Sequence, residues 1–133
     1  METKDYLPLA TAFVALIAIF SSYYLLSKQI LKNKRSAWIE DFRKEIANYY
    51  TLAISIKRDS SDDDLIKITN SSVLIIMLLD IKRPKQKAFE TFIASTTSYV
   101  INHDYKGFDD LAKTLKKVLD DARSIIDDEF KRL

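Results

Sequence analysis

Cysteine is absent from this 133-residue chain, and histidine occurs once, as His103. The first absence removes disulfides and thiolate metal sites, and the second removes a histidine cluster within one chain, so no metal site and no cofactor are expected. One glycine and two prolines leave few sharp turns, against 47% apolar and 30% charged residues. That balance belongs to helices joined by short turns rather than to a sheet or a disordered chain, and the expected class is all-α. An excess of one charge is lacking as well: 21 Lys and Arg stand against 19 Asp and Glu. The resulting +2 is too small to imply binding of double-stranded nucleic acid, so local clusters carry more information than the total. About a hundred residues remain beyond an apolar N-terminal segment, enough for one small domain.

That segment is LPLATAFVALIAIFSSYYLL, Leu7 to Leu26, twenty residues without a charge. At 1.5 Å rise per residue it covers roughly 30 Å of hydrocarbon, a full span. A cleaved signal peptide has a positive leader and ends at small residues. Here Glu2, Lys4 and Asp5 precede the run and bulky Tyr23 and Tyr24 close it, so a retained anchor from about Tyr6 to Leu31 is expected. Lys28, Lys32, Lys34 and Arg35 follow the span, against Lys4 alone before it. By the positive-inside rule the N-terminus lies outside and the C-terminal domain in the cytoplasm, with the four cations at anionic lipid headgroups. The organisation read from this is an anchor with its basic flank at 1–35 and a cytoplasmic helical domain at 36–133.

The span has two unlike faces. Thr11, Ala15, Ala18, Ser22, Leu25 and Gln29 are spaced 4, 3, 4, 3, 4, which aligns them along one stripe, while Phe13, Ile17, Phe20 and Tyr24 lie opposite. Small and weakly polar residues permit close helix approach and hydrogen bonding in lipid, so the stripe is a helix-packing surface or the lining of a narrow pore. One span per chain encloses a pore only in a ring, which requires a homo-oligomer of about four or more copies. The bland alternative is that Ser and Thr back-bond to their own helix.

Beyond Ser36, Trp38, Phe42, Ile46, Tyr49, Ala53 and Ile56 recur at helical spacing. An amphipathic helix is predicted, continuing from the anchor with little or no break and ending near Arg58. Ser61 and Asp64 have the spacing of a capping box, so a second helix starts there and runs to about Ile81. Its SSVLIIMLL stretch is apolar all round and too short to span a bilayer, which predicts the most buried helix of a bundle. Arg83-Pro84 breaks the pattern. A third helix has Phe89, Phe92, Ile93, Thr96, Tyr99 and Val100 on its inner face and ends near His103, followed by a turn around Gly107. Asp109 is expected to cap the last helix, whose inner face runs from Leu111 to Phe130. Short connections make an up-and-down bundle of about four helices the simplest arrangement.

Candidate chemistry is sparse, and no catalytic residues are expected. Asp62, Asp63 and Asp64 read as a capping run, the later aspartate pairs as a solvated face, and His103 as a surface residue of a polar turn. The turn Lys82, Arg83, Lys85 and Lys87 is harder to dismiss: in an up-and-down bundle it returns near the bilayer, where lipid headgroups, solubility or an anionic nucleotide held between subunits each account for it.

At Trp38, Ile39, Phe42, Arg43 and Ile46 the chain reads W-I-x-x-F-R-x-x-I after a short anchor and a basic flank. This pattern resembles a group of small bacterial one-span proteins, which usually have Leu where Phe42 stands. Some of these look like membrane effectors of phage-defence loci, including the Hailong type. The resemblance implies a bacterial inner-membrane location and an oligomeric ion channel gated by a nucleotide-derived ligand or its synthase. In a channel controlled by its cytoplasmic bundle, Trp38, Phe42 and Arg43, at the start of the helix that follows the anchor, are the residues expected to couple domain to anchor. The other reading is a non-conducting anchored adaptor that recruits a soluble partner protein.

Overall fold

The computed structural model describes residues 7–133, in which four helices and no strand are formed: α1 (Leu7–Ser55), α2 (Asp62–Leu78), α3 (Pro84–Ile101) and α4 (Phe108–Phe130). The flank residues Glu2, Lys4 and Asp5 and the proposed start at Tyr6 lie outside the described residues. By packing, the chain divides into two units, the second running from Ser36 to Leu133.

The apolar part of α1 is long and apolar enough to cross a membrane by length and composition, and none of its apolar window is buried. No glycine or proline interrupts α1 after Pro8, which sits in its first turn where the missing N–H costs nothing.

Within the second unit, α1 buries Ile39, Phe42, Ile46, Tyr49 and Ala53, spaced 3, 4, 3, 4, with Ile56 just beyond its end. Against this seam α2 sets Ile68 and Ile75, α3 sets Phe89, Ile93 and Val100, and α4 sets Leu111, Leu115, Val118, Ala122, Ile125 and Ile126. Cross-contacts fix the senses. Trp38 meets Leu78 and Glu45 meets Ser71, so α1 and α2 run oppositely. Lys85 meets Asp128 and Tyr99 meets Asp110, so α3 and α4 do too. Phe42 with Phe89 and Tyr49 with Thr97 set α1 and α3 in the same sense. Each helix therefore opposes its chain neighbour, and one end of the bundle gathers Ser36, the 79–83 turn and the C-terminus, while the other gathers the 56–61 and 102–107 turns.

The helix ends show what local chemistry decides. Ser61 is the N-cap of α2, its Oγ accepting the Asp64 N–H at 3.3 Å, and three aspartates occupy the first turn, where the helix dipole favours them. The other end of α2 stops at Leu78, short of the expected Ile81, with Leu79 already extended. The Asp80 carboxylate accepts the Lys82 N–H at 3.0 Å, and Gln86 Oε1 accepts the Asp80 N–H at 2.8 Å. These bonds hold the turn that delivers Pro84 to the first position of α3. The first helix likewise ends at Ser55 rather than near Arg58, because Ser60 Oγ accepts the Lys57 N–H and starts a turn.

In the next turn the left-handed residue is His103 (φ 52°). The bonds Asp104 N–H to Tyr99 O and His103 N–H to Val100 O close a Schellman motif around His103. Asp109 does not cap α4: Gly107 is the N-cap, without a side-chain bond. Asp110 organises the turn instead, accepting from Tyr99 Oη at 2.6 Å and from the Lys106 N–H at 3.1 Å.

These two donors hold the Asp110 carboxyl below the usual carboxylate range, the tyrosine hydroxyl contributing most. The Lys85 ammonium beside Asp128 lowers that carboxyl in the same direction. A carboxyl depressed in the folded state stabilises above the unfolded value near 4, and that stability is lost as pH falls through the folded value. Bundle stability is thus expected to be flat from neutrality to about pH 5 and to decline below about pH 4, and Asp110→Asn should flatten the decline. Urea midpoints followed by Trp38 emission across pH would check this.

Candidate functional site

Thr11, Ala15, Ala18, Ser22, Leu25 and Gln29 lie along one side of a single unbroken helix, since the 18-residue separation of Thr11 and Gln29 is five turns of about 3.6 residues. All six are exposed, as are Phe13, Ile17, Phe20 and Tyr24 opposite. Gln29 is engaged locally: its Nε2 donates to Asn33 Oδ1 at 3.0 Å, one turn on. The Lys28 ammonium lies 4.7 Å from the Tyr24 ring centre, a cation–π contact at the edge of the apolar run.

The three residues singled out after the basic flank each meet a different helix. Trp38 stacks on Phe42 at 4.9 Å and donates its Nε1–H to the Leu78 carbonyl at 2.7 Å, satisfying one of the carbonyls that α2 leaves unpaired at its C-terminus. Phe42 is fully buried and meets Phe89 of α3 edge-on at 6.0 Å. The Arg43 guanidinium lies 5.8 Å from the Phe130 ring of α4. Two turns of α1 therefore contact all three remaining helices, and only the apolar role of Phe42 is evident from spacing.

Of the basic turn, Arg83 and Lys85 are both engaged with α4, Arg83 half-buried and Lys85 exposed. Arg83 pairs with Glu129 and, at 3.6 Å, with Asp80, while Lys85 pairs with Asp128 at 2.8 Å and bonds Ser124 Oγ at 2.9 Å. Lys82 and Lys87 are exposed at the same end. Lys32, Lys34 and Arg35 continue along α1, Arg35 half-buried and the two lysines exposed. The Glu129 carboxylate went unnoticed in the sequence because it sits among charged neighbours of an acidic helix. Its side chain is only 8% exposed, against 34% for Arg83, and Arg132 is its second partner at 3.5 Å. Arg83→Ala should cost about 1–3 kcal/mol, because a nearly buried carboxylate loses its main partner while Arg132 remains. Lys85→Ala, at a half-exposed pair, should cost under about 1 kcal/mol. Urea unfolding of both variants would separate them.

A second unanticipated feature is the outer face of α2. The helix buries Ile68, Ser71, Ser72 and Ile75 but exposes Ile66, Val73, Leu74 and Met77, so it is not the most buried helix of the bundle. Its apolar residues run all round, and the other three helices cover only one side of it. Leu74 and Met77, with Leu78, Asp41, Lys44 and Glu45, line a groove of about 450 Å³ between α1 and α2. Phe130, expected on an inner face, is 48% exposed at the end of α4, where the bundle stops.

Inside the core, Tyr49 Oη lies 2.8 Å from Thr97 Oγ1, which itself donates to the Ile93 carbonyl, so the tyrosine is the donor. Burial pushes the Tyr49 hydroxyl up to about 12. This is a satisfied structural pair and not a poised acid. Among the described residues no group of three His, Cys, Asp or Glu side chains is placed to hold a metal ion. No family model, no curated protein and no solved structure matches the chain.

Proposed function

We propose that the chain is an oligomeric single-span membrane effector whose cytoplasmic bundle controls ion leakage along the Thr11 to Gln29 stripe. The carrying observation is one unbroken helix that presents a continuous small and weakly polar stripe, opposite bulky Phe13, Ile17 and Phe20, at the length of a bilayer. Bulky residues suit lipid and the stripe suits neighbouring copies, so several anchors would gather with Thr11 and Ser22 turned inward. A single span cannot enclose a conduit, and the function therefore rests on assembly, with about four or more copies.

Trp38, Phe42 and Arg43 are the coupling residues in this reading. Each ties the start of the bundle's first helix to a different partner helix, so a rearrangement of the bundle reaches α1 directly. Lys28, Lys32, Lys34 and Arg35, with Lys82 and Lys87, favour anionic headgroups at the inner leaflet of a bacterial inner membrane, with the N-terminus outside. The resemblance of the W-I-x-x-F-R-x-x-I segment to phage-defence effectors supports a defensive setting and a nucleotide-derived signal or a soluble synthase as activator. The deciding experiment joins mass measurement in mild detergent to ion flux from liposomes holding the same preparation. An assembly of about four or more copies that leaks ions supports the proposal. A monomer or dimer that holds the gradient overturns it and leaves a non-conducting adaptor.

A further inference from the structure

We infer that the outer face of α2 is a seam at which two copies of this chain pair in parallel. The inference rests on the anchored, oligomeric reading above, and it names a surface that reading does not use. Asp63, Ile66, Asn70, Val73 and Met77 recur along α2 at spacings of 3, 4, 3, 4, the spacing of the inner positions of a two-stranded coiled coil. Ile66 is 54% exposed, Val73 49% and Met77 76%, while Ile68, Ser71, Ser72 and Ile75 point the other way into the bundle. The helix is thus two-sided, one face closing its own core and the other left apolar.

A second copy fits this face better than any other occupant. Among the described residues the exposed large apolar side chains of the bundle outside α2 are Ile81, Phe108, Phe130 and Leu133, all at or beyond helix ends, and Leu74, also exposed, flanks the stripe on α2 itself. The one lengthwise apolar surface matching the stripe is therefore the same stripe on another copy, which is the condition for an isologous contact. Copies anchored in one membrane about a shared normal carry α2 in the same sense along that normal, which selects parallel pairing.

Parallel pairing also brings opposite charges together. In a parallel seam, the residue preceding one inner position faces the residue five places later on the partner. Asp62 then faces Lys67 of the second copy, and the contact occurs twice by symmetry. Both side chains are exposed and neither takes part in an ion pair within the described chain. At the centre Asn70 would meet its own counterpart, an arrangement that sets register at some cost in stability. Antiparallel pairing would lose the contact of Asp62 with Lys67.

The stripe from Ile66 to Met77 is about 17 Å long, less than a free-standing interface of about 800 Å² per partner provides. Confinement of the anchors raises the effective concentration into the millimolar range, where a smaller seam suffices.

The chain has no cysteine, so single cysteines report cleanly. In membranes containing the full chain, mild oxidation of Ile66→Cys, Asn70→Cys and Met77→Cys should each give roughly tenfold more disulfide dimer than Ala94→Cys on the exposed side of α3. Lys67→Asp should lower the Met77→Cys yield about two- to fivefold, and adding Asp62→Lys should restore it. Cross-linking confined to Asn70→Cys, with none at 66 or 77, means antiparallel pairing about the middle of the stripe and overturns the parallel seam. Yields at all α2 positions no higher than Ala94→Cys overturn the seam outright, which includes the case of a soluble protein covering the face. Ser22→Cys, measured alongside, reads anchor association separately. If it cross-links while α2 does not, the seam fails and the oligomer stands; if neither cross-links, both fail.

Discussion

Ser22→Phe should abolish ion flux from liposomes, with flux at least about tenfold below the unmodified chain, while the mass in mild detergent still shows assembly. A phenylalanine in the middle of the small stripe adds a bulky ring where neighbouring helices approach closely, and in a narrow pore it fills the lumen. Ala18→Phe, one turn earlier on the same side, should behave alike. Phe20→Leu on the opposite face conserves bulk toward lipid and should leave flux within about twofold. An anchored adaptor would tolerate the Ser22 and Ala18 substitutions as long as its partner still bound. Unchanged flux in Ser22→Phe would remove the stripe from the conduit.

Phe42→Ala should destabilise the bundle by about 3–5 kcal/mol, a large share of the stability of a domain of this size. The ring is fully buried, stacked on Trp38 and edge-on to Phe89, and no exposed residue stands ready to fill the space it leaves. Trp38 is the single tryptophan of the chain, so its emission should shift to the red together with the loss of helix. Phe42→Leu restores most of the volume and should cost less than about 1.5 kcal/mol. That variant also separates stability from coupling. A folded Phe42→Leu bundle with flux and signal response like those of the unmodified chain would assign Phe42 to the core alone.

Much of the fold is legible without coordinates, for reasons that differ by element. In α4 Leu111, Leu115, Val118, Ala122, Ile125 and Ile126 are buried as their spacing predicts, because charged residues fill the intervening positions and leave one choice of face. α2 has no such contrast. Its apolar residues surround the helix, periodicity cannot choose a face, and inferring complete burial from all-round hydrophobicity assumed a neighbour on every side. The turns failed in smaller ways. Asp109 has the right chemistry for a cap, but Gly107 is the N-cap of α4, and Asp110 holds the turn instead because Tyr99, one helix earlier, supplies the hydroxyl that its carboxylate accepts.

The site residues divide along the same line. Alignment of Thr11 through Gln29 on one stripe follows from helix geometry alone, as does burial of Phe42 from its place between Ile39 and Ile46. That Trp38 would reach the Leu78 carbonyl, forty residues on, depends on where α2 stops, and hence on the Asp80 and Gln86 bonds of the next turn. Pairing of Arg83 with Glu129 depends on four helices closing so that two distant charges share one end of the bundle. Local propensity, capping and the width of an apolar stripe act over a few residues and can be read from them; which carbonyl meets the indole, which carboxylate meets the guanidinium and which side of α2 stays uncovered are set by packing between helices far apart in the chain, and only the tertiary structure decided them.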